Sequence, residues 1–169
     1  MKKFKKLTEL SKFASQETLL KSNLNQKQLD IKHVQLYNKT MTEIVIDSSC
    51  LLEFLLNKKG KDIVEKTVGN SKLLAPDCLP YEIGDAICRL VKKELISVVD
   101  GVAVYHEFAR IPIRFIEPDI SNSIVIAGET ECNGYQAYYI SLAKQLSLSL
   151  FTMNDDMKNA AISRGVKCL

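Results

Sequence analysis

Two carboxylates in this chain stand where an acid can do chemistry. Asp47 closes the run Ile44-Val45-Ile46, apolar and mostly β-branched, and is followed at once by Ser48 and Ser49. A buried strand of a parallel sheet reads this way as it emerges at its carboxyl edge, which is where α/β proteins place their reactive groups. The plainer alternative is that Asp47 or Ser48 only caps the helix that follows. The second acid, Glu82, belongs to a helical stretch whose apolar stripe is Leu79, Ile83, Ala86, Ile87, Leu90 and Val91. At about 100° per residue it falls on the margin of that stripe, while Asp85 points outward. A carboxylate so placed is either a snorkelling surface residue or a site residue.

The elements that must carry these acids alternate between strand and helix. A strand at 43–46 leads into a short buried helix over 48–57, stopped at Lys58-Lys59-Gly60, and a second helix over 61–68 ends at Gly69-Asn70. A strand at 72–75 precedes the longest helix, opened by Pro76-Asp77 and running to about Leu95, with Pro80 tolerated in its first turn. Next come a helix over 97–109, a strand at 113–116 between Pro112 and Pro118, and a helix from about Asp119 that ends at Asn133-Gly134. Tyr135, Tyr138, Tyr139, Leu142, Ala143 and Leu146 keep helical period, and their tyrosines read as core and rim packing rather than as a base-stacking platform. A strand at 148–152, a helix over 154–163 and a last short strand at 165–169 complete the series. The fold class is therefore α/β, with a mostly parallel sheet of about five strands and helices on both faces.

Composition sets the frame. The 169 residues are 46% apolar and 25% charged, the profile of one globular domain. No apolar run is long enough to span a bilayer and the Lys-rich amino terminus leads into no apolar segment of a secretory signal, so the expected location is the cytoplasm, away from membranes. The five cysteines are an odd number without a CxxC pair. They suggest neither a disulfide framework nor a zinc knuckle and read as small core residues, with a free reactive thiol as the alternative.

The net charge of +3 is unevenly divided. Residues 1–41 hold nine lysines against Glu9, Glu17 and Asp30, a charge of +6, which leaves −3 on the remainder. This leader has no Gly or Pro and a thin apolar stripe (Phe4, Leu7, Leu10, Phe13), and is expected to be helical or disordered. It either touches nucleic-acid phosphates or simply keeps a tail soluble. Met41 stands just before the first strand, so residues 42–169 make the expected compact domain, with the leader an appendage or an upstream extension of the reading frame.

Three segments in order then carry a resemblance. The opening MTEIVIDSSCLLEFLL, the middle LLAPDCLPYEIGDAICRLVKKELIS and the end GYQAYYISLAKQLSLSLFTMNDDM with GVKCL fall at the spacings of a PIN domain of the VapC toxin type. The chain from Thr42 onward resembles that family, and the resemblance implies a PIN-like three-layer sandwich and a metal-dependent endoribonuclease whose acids converge at the carboxyl edge of the sheet. Position by position, it makes Asp47 the first acid and Glu82 the second. The third, in a Tyr-Asp-Ala motif, is here Gln136. The fourth, in a Thr-x-Asp motif, is here Asn154 after Thr152.

An amide offers a carbonyl oxygen but no charge. Mg²⁺ commonly binds through one or two carboxylates with waters completing the octahedron, so Asp47 and Glu82 suffice for one weakly held Mg²⁺ or Mn²⁺. Further metal oxygens would have to come from Asp85, Asp155 or Asp156. For Asn154, Asp155 and Asp156 the competing expectation is capping and dipole compensation at a helix start, and for Gln136 a polar helix start. Two functions of different class follow. One is an attenuated ribonuclease with RNA as substrate, a cognate antitoxin protein as partner and a homodimer as the assembly. The other is an inactive PIN fold serving as an RNA-binding or protein-interaction module, in which Asp47 only caps and positions its helix. A serine or cysteine hydrolase is disfavoured because His33 and His106 are the only histidines and lie in no site context, and no Gly-rich loop supports nucleotide binding.

Overall fold

A computed structural model of the chain describes residues 41–169. The expectations for the basic leader, including its helices at Phe4–Phe13 and beyond, lie outside the described residues. From Met41 onward the order of elements is β1 (Glu43–Ile46), α1 (Ser48–Leu55), α2 (Lys61–Val68), β2 (Lys72–Pro76), α3 (Leu79–Lys92), α4 (Val98–Phe108), β3 (Ile113–Ile116), α5 (Ile120–Glu129), α6 (Gly134–Leu146), β4 (Ser149–Phe151) and α7 (Asp155–Ser163). Among the described residues no helix is long and apolar enough to cross a membrane.

All strand pairs are parallel and the spatial order is β3-β2-β1-β4, so β1 lies inside the sheet between partners from both halves of the domain. Ile44, Val45 and Ile46 are buried on both faces, as a run without polar alternation requires. Ile46 and Leu73 share one face with Leu51, Phe54, Leu55 and Val64 of α1 and α2. α6 packs against β1, β2 and β4, burying Ala137, Tyr139, Ile140, Leu142 and Ala143. Full burial of such side chains stabilises by about 1.5–3 kcal/mol each, which is why short strands hold without much ladder of their own.

Four expectations are corrected. The sheet has four strands rather than five: the segment after Gly165 makes a single parallel bridge, Cys168 to Leu150, through Leu150 N–H to Lys167 O (2.8 Å) and Leu169 N–H to Leu150 O (3.0 Å). The helix from Asp119 stops at Glu129, where Thr130 turns extended and its hydroxyl donates back to Ile126 O at 2.8 Å. Asn133-Gly134 is thus a start and not a stop. Asn133 Oδ1 accepts from Gln136 N–H at 3.0 Å and opens α6. The longest helix begins at Leu79 and ends at Lys92, because Pro76 completes β2 and Glu94 takes a left-handed φ of 54°. The cysteines form no disulfide: Cys50 and Cys132 are buried, Cys78 and Cys168 half-buried, and Cys88 is exposed on α3 rather than in the core.

Ile140 is fully buried in the middle of α6. Ile140→Ala should lower the stability of the domain by about 2–5 kcal/mol in urea denaturation, with the slope of the transition unchanged.

Candidate functional site

Parallel pairing brings the ends of β1 and β4 to one edge: Ile46 pairs with Phe151, and Asp47 N–H donates to Phe151 O at 3.0 Å. Asp47 and Thr152 therefore emerge side by side. Asp47 occupies the N-cap position of α1, yet its side chain caps nothing. Its carboxylate is 5% exposed and accepts from three hydroxyls: Ser48 at Oδ1 (3.2 Å), and Ser49 and Thr152 (2.9 Å) at Oδ2. Ser49 and Thr152 are themselves fixed, since Ser49 Oγ accepts Met153 N–H and Thr152 Oγ1 accepts Asn154 N–H, each at 3.0 Å.

Glu82 reaches the same place from the first turn of α3. The Ser48 hydroxyl lies 3.3 Å from its Oε2 and 3.2 Å from Asp47 Oδ1, one proton shared between two carboxylates. Glu82 Oε1 accepts from the Tyr139 hydroxyl at 2.9 Å and from the Cys78 thiol at 3.4 Å. Among the described residues no Lys, Arg or His forms an ion pair with Asp47 or Glu82; the five ion pairs are elsewhere. Burial raises the Glu82 carboxyl above its ordinary value and the Asp47 charge adds to this, against the lowering effect of the Tyr139, Cys78 and Ser48 hydrogen bonds.

A cavity of about 590 Å³ opens over the pair, lined also by Tyr81, Asp85, Arg89, Tyr135, Gln136 and Asn154. Both amides at the degenerate positions are there, but their carbonyl oxygens are engaged. Gln136 Oε1 accepts Asn133 N–H (3.0 Å), completing a capping box, and Asn154 Oδ1 accepts Met157 N–H (2.8 Å) as N-cap of α7. Asp85 lines the cavity wall, where it pairs with Arg89 one turn along α3. Asp155 and Asp156 are exposed in the first turn of α7 and do not line the cavity, a placement that suits the positive end of the helix.

The sequence reading did not include Ser49, Cys78 or Tyr139 among the site residues. Ser49 had a visible signal, a second hydroxyl directly after Ser48. Tyr139 had only its helical period, which reports burial (1% exposed) and not the polar end of the ring. Tyr135 and Tyr138 meet edge to face at 5.8 Å, with Tyr135 on the cavity rim.

The arrangement is a pair of carboxylates without an ion-pair partner among the described residues, bridged by a hydroxyl, at the floor of an open cavity. Among the described residues there is no group of three or more His, Cys, Asp or Glu side chains that could hold a metal ion. The oxygens present suit a hard cation that keeps several waters, and do not make a closed protein cage.

No family model matches the chain, and no curated protein matches it. Solved structures do. PAE2754 from Pyrobaculum aerophilum is similar over 79% of this chain and 89% of its own, at 18% identity and a TM-score of 0.58. VapBC2 from Rickettsia felis, bound to a DNA fragment from its promoter, is similar over 76% and 98%, at 11% identity and a TM-score of 0.53. VapC20 of Mycobacterium tuberculosis, a toxin that cleaves the sarcin–ricin loop, is similar over 69% and 94%, at 10% identity and a TM-score of 0.52. At these identities the likeness establishes the fold, which is PIN-like and of the VapC type.

The raised Glu82 makes stability depend on pH. Its folded-state pKa lies above the ordinary 4.5 of an unfolded chain, so ionisation costs the folded state. The cost is absent below the unfolded pKa, grows as pH rises between the two values, and is complete above the folded one. With chelator present, Glu82→Gln should therefore melt higher than the parent protein near neutral pH, and the difference should vanish at about pH 3.5.

Proposed function

We propose that residues 42–169 act as a PIN-type, Mg²⁺- or Mn²⁺-dependent endoribonuclease with activity attenuated by the neutral residues at positions 136 and 154. The observation that carries this reading is the juxtaposition of Asp47 and Glu82, 35 positions apart in sequence, across one Ser48 hydroxyl, with no ion-pair partner among the described residues. Two half-buried or buried anions facing one point are costly unless something positive joins them.

Asp47 Oδ1, Glu82 Oε2 and Ser48 Oγ are the oxygens that would hold the ion. When bound, a divalent cation lowers the pKa of a water and neutralises charge developing on a phosphate. The chain's own groups position the reactants. Ser49 and Thr152 hold Asp47 Oδ2 and so turn Oδ1 toward Glu82. Arg89, on the cavity wall, offers a guanidinium to a phosphate oxygen, at the expense of its exposed pair with Asp85. Gln136 and Asn154 contribute little to cation binding, because each carbonyl serves a helix start. RNA is the proposed substrate, a small antitoxin protein the proposed partner, a homodimer the proposed assembly and the cytoplasm the proposed location. Residues 1–41 are proposed as an appended basic leader.

The same occupied carbonyls favour a second reading, in which the fold is catalytically silent and serves as an RNA-binding or protein-interaction module. Incubation with structured RNA separates the two. On the first reading Mn²⁺ or Mg²⁺ supports cleavage, chelator abolishes it, and Asp47→Ala reduces it by on the order of 100-fold or more. Cleavage that survives Asp47→Ala indicates contamination, and RNA bound but never cut establishes the second reading. Gln136→Asp with Asn154→Asp should raise the rate at limiting Mn²⁺ by at least about tenfold. Neither change forfeits its helix start: Asp is as good an N-cap as Asn, and Asp100 already closes the equivalent capping box with Ser97 in α4.

A further inference from the structure

Glu82 is held by one of its two oxygens. Oε1 accepts from the Tyr139 hydroxyl (2.9 Å) and the Cys78 thiol (3.4 Å), whereas Oε2 faces only Ser48 Oγ (3.3 Å) and, beyond it, Asp47. The two donors come from different elements. Tyr139 projects from α6 and is 1% exposed; Cys78 precedes α3 and is half-buried. The Tyr139 hydroxyl and the Cys78 thiol both meet the same oxygen, Glu82 Oε1, and leave Oε2 to Ser48.

We propose that Tyr139 is a positioning residue: with Cys78 it pins Glu82 Oε1 and thereby reserves Oε2, aimed at Asp47, for the metal. The inference rests on the reading of Asp47 and Glu82 as a cation site. A glutamate on a helix has three rotatable side-chain bonds and would otherwise sweep the cavity, whose volume of some 590 Å³ leaves it room to do so. Where four acids surround an ion, a wandering one is backed by the others. Here only two carboxylates face the same hydroxyl, so the orientation of each carries more of the affinity. Tyr139 is also well suited to the task, since a tyrosine hydroxyl on a ring locked in the core has little freedom of its own.

The test compares the full chain with Tyr139→Phe, Cys78→Ser and the double variant Tyr139→Phe/Cys78→Ala. Crystal structures without metal give the Glu82 conformation, and Mn²⁺ titration followed by the electron paramagnetic resonance of the free ion gives affinity. Tyr139→Phe should keep the fold and release the Glu82 carboxylate from its present place. It should weaken Mn²⁺ about tenfold and lower kcat on RNA with KM unchanged, the double variant should lose more, and Cys78→Ser, which keeps a donor, should stay near the parent. Glu82 unmoved in the metal-free Tyr139→Phe structure, or Mn²⁺ bound as tightly as by the parent, overturns the proposal. If the parent itself binds no Mn²⁺, the reading as a metal nuclease fails, and the metal-free Glu82 conformation alone decides whether Tyr139 positions it. Should Tyr139→Phe fail to fold, Cys78→Ala carries the same comparison, with a smaller displacement and loss expected and an unchanged Glu82 again the overturning result.

Discussion

A buried carboxylate ringed by hydroxyls, with no ion-pair partner among the described residues, is the constraint on which the rest of this domain turns. Asp47 sits at the end of the innermost run of the sheet, and taking a carboxylate out of water is tolerable only if hydrogen bonds replace the lost hydration. Ser48, Ser49 and Thr152 supply them, each worth about 1.5–3 kcal/mol toward a charged acceptor. This requirement explains local details that would otherwise be unrelated. α1 must start immediately so that its first two serines face back, and β4 must run parallel to β1 so that a threonine follows Phe151 at the same edge. The turn after it must then offer backbone N–H groups to the hydroxyls that serve Asp47, as Met153 and Asn154 do.

Neutral amides at 136 and 154 alter the electrostatic balance. Two further carboxylates beside a pair already in mutual repulsion would raise the strain on the metal-free protein, and Glu82 already shows the effect of burial and of Asp47. With Gln136 and Asn154 the cavity loses charge, and the amide oxygens turn inward to the starts of α6 and α7. The domain thus keeps both helix starts while adding no further negative charge beside Asp47 and Glu82. Function and stability pull in opposite directions here, as they commonly do where like charges are gathered for chemistry.

Much of the architecture could be read from residue type and period alone. The apolar run of β1 and the helical period of α6 agree with the structure because burial leaves a local pattern, and the bounds of α2 and β3 agree because Gly69-Asn70 and the flanking Pro112 and Pro118 mark them. The errors share a cause as well. Asn133-Gly134 is a terminating signal in isolation, but which of two neighbouring helices an asparagine serves depends on whose N–H it meets. The final strand was expected from composition, while its single bridge depends on where α7 leaves the chain. At the site, the acids were visible and their company was not. The bond from Tyr139 to Glu82 spans 57 positions, and the turning of Gln136 and Asn154 into caps is decided by side-chain orientation, on which periodicity is silent.

The sheet order has a consequence for the chain as it is being made. β1 is synthesised first among the strands and waits for β4, and Asp47 waits for Thr152, 105 residues later. Until that threonine has left the ribosomal tunnel, the aspartate lacks one of its three hydroxyls and the strand that buries it, so a nascent or prematurely ended chain carries its acids in water and apart. The pocket is therefore complete only in chains translated past the start of α7, whose Asn154 and Met157 close its wall.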